Sequence, residues 1–108
     1  MIKADFYLNT DGTYRGFSVS GHAGYAKSGQ DIVCASVSSL VINTVNAIEA
    51  LTENAGVCEQ VESGTIRFKF SSGSDEKGQL LVQALDMGLS NISKEHGKKY
   101  LQVHYKEV

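Results

Sequence analysis

From Ile32 to Glu53 the chain runs without a glycine or a proline, and Val33, Val37, Leu40, Thr44, Ile48 and Leu51 recur at spacings of three and four. That period puts them on one helical stripe. The many β-branched residues lower helix propensity, but a strand of more than about ten residues is unusual, so length decides for a long buried helix. Asn54-Ala55-Gly56 ends it.

The flanking segments read as strands. Ile2, Ala4, Phe6 and Leu8 alternate with Lys3, Asp5 and Tyr7, and Asn9-Thr10-Asp11-Gly12 supplies a turn into a second strand, Tyr14 to Ser20. A second hairpin pairs Val57–Glu62 with Thr65–Phe70 across Ser63-Gly64, with Ile66, Phe68 and Phe70 facing the core. Ser74 is placed to cap a second helix running to about Glu95, and Asp75-Glu76 set negative charge at its positive end. Leu81, Leu85, Gly88 and Ile92 line one of its faces, and Lys94 and His96 suit its C-terminal end. Leu101, Val103 and Tyr105 alternate in a closing strand. The order is ββαββαβ: an α+β domain over residues 1–108, with an antiparallel or mixed sheet and two helices packed on one face. Tyr7, Arg15, Phe17 and Tyr100 are expected partly on the other face; an open sheet face or a sheet edge predicts a homodimer.

Composition removes several functions. A net charge of −2 over 108 residues offers no field for nucleic-acid backbones, so no direct nucleic-acid partner is expected. Apolar runs such as Leu40-Val41-Ile42 fall far short of the roughly 20 residues that span a bilayer, and Met1-Ile2-Lys3-Ala4-Asp5 has no signal-peptide core. The expected setting is cytoplasmic, with no membrane partner, and Cys34 and Cys58 are expected there as separate thiols.

Chemistry concentrates between Gly21 and Ser38. A glycine-rich segment carries His22 and leads into the helix whose first turn is expected to hold Cys34. A helix N-terminus and a nearby imidazole both favour a thiolate, and free N–H groups there can hold an oxyanion. Ser28 with Asp31 three residues on reads as a capping-box variant, with Asp31 alternatively the cap itself or the carboxylate that orients the imidazole. Ser38 lies one turn beyond Cys34. Taken singly these residues have plainer readings: a small buried hydrophobe for Cys34, polar surface for His22, a cap for Asp31, a back-bonded helix hydroxyl for Ser38. Cys58 reads as structural, and His96 and His104 as a helix-end and a solvated strand residue.

Rival motifs fail on context. Gly21-His22-Ala23-Gly24 has the spacing of a KH clamp but follows a strand. Lys27-Ser28 lacks the glycine that a phosphate loop needs before its lysine. His22 and Cys34 alone are too few for zinc, so no metal and no cofactor is expected.

Ser20-Gly21-His22-Ala23-Gly24 followed by Asp31-Ile32-Val33-Cys34-Ala35-Ser36-Val37-Ser38 closely resembles the signature of the bacterial ribosomal-processing cysteine proteases, the Prp family, and the resemblance covers essentially the whole chain. It implies His22 and Cys34 as the catalytic pair, Gly21 as a hinge before the histidine, and Asp31 and Ser38 as the acidic and hydroxyl positions near the nucleophile. It further implies a cytosolic, homodimeric endopeptidase that removes a short N-terminal extension from large-subunit ribosomal protein twenty-seven, cutting after an aromatic residue in a mostly apolar segment. That segment needs a groove beside Cys34, expected to be lined by Tyr25 and Val33 and closed by the loop hinged at Gly21, Gly24 and Gly29. The contrasting reading is a non-catalytic ribosome-assembly or peptide-binding module in which His22 and Cys34 only shape the loop.

Overall fold

Alternation in the first strand sorts the chain into a covered and an open side. Ile2, Ala4 and Phe6 of β1 (Ile2–Leu8) are fully buried, while Lys3 between them is exposed. The computed structural model describes residues 1–21, 28–61 and 64–108, with the backbone alone at residues 28–31 and 61. β2 (Tyr14–Ser20), α1 (Ser28–Leu51), β3 (Gly56–Val61), β4 (Thr65–Phe70), α2 (Glu76–His96) and β5 (Leu101–Glu107) follow, giving the expected ββαββαβ order. The strands form one sheet in the order β3-β4-β2-β1-β5; β1 and β5 run parallel and the other neighbours antiparallel, so the sheet is mixed.

Register explains the core. Phe6 pairs with Phe17 and Phe17 with Phe68, and the rings stand 6.1 and 5.4 Å apart between centroids. Phe17 is therefore 1% exposed on the helix side, not on the open face expected for it. Tyr100 likewise packs against the core, whereas Tyr7 does lie on the open side. The register slips between Tyr7 and Leu8, leaving Arg15 as the extra residue of a bulge.

Val33, Val37, Val41, Thr44 and Ile48 form the buried stripe of α1, but Leu51, expected on it, is 70% exposed. A 24-residue helix is about 36 Å long and a strand of six or seven residues about 20–24 Å, so the last turn of α1 overruns the sheet. Residues 32–51 are long and apolar enough to cross a membrane, with mean hydropathy 1.5, yet this stripe is buried in the domain core.

The buried stripe of α2 is Gly78, Val82, Leu85 and Leu89, displaced from the expected one; Leu81, Gly88 and Ile92 are half-buried beside it. A Cβ on Gly88 would stand 3.0 Å from Leu40 Cδ1, which marks the close approach of the helices. The N-cap is Asp75, whose carboxylate accepts from the Lys77 and Gly78 amides; Ser74, expected there, accepts from Gln79 Nε2 instead.

Candidate active site

β2 ends at Ser20 and hands the chain to Gly21, whose φ of +88° is a backbone conformation that side chains rarely tolerate. A Cβ there would overlap the Met1 carbonyl oxygen, so both conformation and space require glycine immediately before His22. His22, Gly24 and Tyr25 lie outside the described residues, as does the side chain of Asp31.

Cys34 and Ser38 are brought together on α1. The helix begins at Ser28, earlier than its periodicity suggested, so Cys34 sits in the second turn and not the first. Its own amide lies within the helical hydrogen-bonding pattern, and the open N–H groups belong to residues 28–31. With Ser28 and Asp31 both inside the helix, neither is the N-cap; the cap position falls outside the described residues.

Cys34 is 9% exposed, at the margin of the stripe through Val33, Val37 and Val41. Spacings of four and seven carry the same flank of the helix through Ser38 and Val45, and Thr52, seven further on, lies just past its end. Ser38 is half-buried. Val45 and Thr52 border a cleft of about 480 Å³ between the end of α1 and the edge strand β3, and Val45 also borders an adjoining cleft of about 300 Å³ with Ile42, Gln60 and Ile66. This flank reaches a partly apolar groove at Val45, about 16 Å along the helix from Cys34. Val33, expected to line the substrate groove, is fully buried and cannot; Ile32 is 59% exposed, but two residues before Cys34 it projects to nearly the opposite side of the helix.

Both cysteines are free. Cys58, which borders both clefts, is exposed; partial desolvation, and secondarily the charge of Glu59, hold its thiol above the usual range. Among the described residues no three His, Cys, Asp or Glu side chains cluster to hold a metal ion. His96 ends α2 and His104 is exposed on β5, as expected of them.

Residues 1–102 match the sequence profile of the family described as Cysteine protease Prp. The ribosomal processing cysteine protease Prp of Bacillus subtilis is 32% identical over 101 residues, 89% of this chain and 90% of its own. The essential ribosomal processing protease Prp of S. aureus, solved in complex with a substrate peptide, superposes with a TM-score of 0.91 at 27% identity, covering 98% of this chain and all of its own. The same protease in complex with a covalently linked product peptide gives 0.88 at 28% identity, with the same coverage. Fold and relatives together define a cysteine protease. The chain belongs to the Prp family of ribosomal processing cysteine proteases, and the non-catalytic module reading falls away.

Proposed function

We propose that this chain is a cysteine endopeptidase in which Cys34 is the nucleophile and His22 the general base and acid. Its substrate is the N-terminal extension of large-subunit ribosomal protein twenty-seven, in the cytoplasm. The carrying observation is the position of Cys34: its side chain stands at the margin of the core, on the helix flank that runs into the groove beside β3. The S. aureus relative is solved with a covalently linked product peptide, and a covalent link between enzyme and cut peptide is the intermediate that nucleophilic catalysis passes through.

In this mechanism His22 takes the Cys34 proton as sulfur attacks the scissile carbonyl. The open amides of the first turn of α1 are the nearest helix donors for the oxyanion. His22 returns the proton to the leaving amine, giving a thioester; a water deprotonated by His22 then releases the acid and restores the thiol. Asp31 orients the imidazole, Ser38 and Tyr25 contact substrate, and Gly21 and Gly24 are the hinges. The groove walls receive the apolar recognition segment. The protein pairs as a homodimer through a sheet edge.

The test incubates the native protein and its Cys34→Ala and His22→Ala forms with the ribosomal protein bearing its extension, read by intact mass. One defined cut by the native chain, with uncut substrate retained by Cys34→Ala, is expected. Full turnover by His22→Ala would reject the pair.

A further inference from the structure

The helix-free face of the sheet has a charge pattern that the chain-wide balance conceals. Strand register lays Val57, Lys69, Gly16, Tyr7 and Lys106 in one row across it, and Glu59, Arg67, Ser18, Asp5 and His104 in the next. Lys3 shares this face by alternation, and the bulge residue Arg15 joins it, lining a cleft with Tyr7, Gly16, Arg67 and Lys69. Among the described residues the face therefore carries five cations against two acids on a chain of net charge −2. Both acids have neighbours: Asp5 lies 3.6 Å from Lys106, and Glu59 is in register with Arg67.

The cleft, about 340 Å³, holds Arg15, Arg67 and Lys69 with no acidic side chain, and Val108, the last residue, completes its lining. Its floor is Gly16, where a Cβ would overlap the Phe68 carbonyl oxygen, so the notch is fixed by the backbone. Beside it the Tyr7 hydroxyl reaches Ser18 Oγ at 3.0 Å, one row along, which lays the ring across the sheet. Arg67 and Lys69, both exposed, alternate on one side of β4 and stand about 7 Å apart.

We infer that this face binds a single-stranded phosphodiester chain, with Arg15, Arg67 and Lys69 on successive phosphates and a base on the Tyr7 ring. Exposed cations held on strands beside a flat aromatic ring are the parts from which sequence-tolerant single-strand sites are built. An acidic peptide would use the cations but has no need of the ring. An isologous contact through this face would set like charges against each other, so the face is better matched to a polyanion than to a second copy. It lies on the opposite side of the sheet from α1 and Cys34, and its use does not depend on the proposed mechanism.

Fluorescence anisotropy with labelled U12 RNA and dT12 DNA at several salt concentrations tests this, its two arms separating RNA from DNA as the source. Three phosphate contacts give a slope of log K on log salt of roughly −2. Arg67→Gln/Lys69→Gln should weaken binding at least tenfold and flatten the slope by about 1.4. Tyr7→Phe should bind as the native protein does, while Tyr7→Leu loses roughly tenfold with the slope unchanged. No binding of either oligonucleotide at low salt, or binding indifferent to the double substitution, overturns the inference. Equal competition by a hexaglutamate peptide, with Tyr7→Leu unaffected, overturns it in favour of an acidic protein surface.

Discussion

The carbonyl oxygen of Met1 occupies the space that a Cβ on Gly21 would need, so the start of β1 forms the wall behind the residue that precedes His22. Gly21→Ala must both adopt a φ of +88° and displace that carbonyl. The expected cost is about 2 kcal/mol, a fall of roughly 10 °C in Tm for a domain of this size. Peptidase activity should fall further than the lost stability explains when both proteins are assayed well below their melting points. A variant with native Tm would show that the backbone relaxes freely here.

Asp86 ties α2 to two strands, accepting from Tyr14 Oη at 2.6 Å and from Tyr105 Oη at 2.6 Å. Burial first, and the Asp86 carboxylate second, raise the Tyr14 hydroxyl well above its usual range. Because the folded value lies above the unfolded one, the native state holds more protons than the unfolded state above pH ~10. The contribution is complete below that pH and is lost as pH rises through the window. Tyr14→Phe should cost roughly 1 kcal/mol at neutral pH and lose less stability than the native protein between pH 9 and 11. Denaturant melts across that range check it; parallel curves would count against the linkage.

Much of this arrangement was legible in sequence because alternation and stripe reasoning report burial directly. Ile2, Ala4 and Phe6, or Val33 and Val37, could fill only buried positions, and the strand and helix order followed from them. Register was not legible: Phe17 reads as readily outward as inward until its pairing with Phe6 and Phe68 is known. The start of α1 is not legible because Ser28, Gly29, Gln30 and Asp31 carry no apolar signal, and its position at Ser28 puts Cys34 in the second turn where the sequence alone suggests the first. The cation row was hidden for another reason: net charge sums over the chain, whereas Arg15, Arg67 and Lys69 converge only when β2 and β4 pair.

Cys58 gives an internal contrast to Cys34. It is the exposed thiol, and its ionisation is held back by desolvation and then by Glu59. Alkylation by iodoacetamide should therefore be slow near neutrality and climb steeply above the usual thiol range. Glu59→Gln removes the smaller cause and should speed labelling by less than about tenfold. Peptide mapping by mass checks this, and Cys58→Ser should leave cleavage intact. Loss of cleavage in that variant would overturn the proposal that Cys34 is the nucleophile.

The Asp75 carboxylate accepts from Asn54 Nδ2 at 2.7 Å and from the Lys77 and Gly78 amides at 3.0 and 3.1 Å, while Asn54 Oδ1 accepts from the Asp75 amide at 2.9 Å. One side chain caps α2 and also ties it to the segment leaving α1. Asn54 first, and the Gly78 amide next, depress the Asp75 carboxyl below its usual range. The unfolded chain then binds more protons in mild acid, so stability rises with pH through that window. The contribution is complete above the unfolded value of about 4 and is lost as pH falls through the folded one. Asp75→Asn keeps an N-cap side chain but removes the titration, so its Tm should decline less than the native Tm between pH 5 and 3. Asn54→Ala, removing the main cause, should flatten the same limb. The carboxylate is fully exposed, so the difference should shrink in high salt. Thermal melts of the three proteins at pH 3 to 7, with and without added salt, decide it: superimposable slopes would mean that the cap is held by geometry alone and that charge contributes nothing.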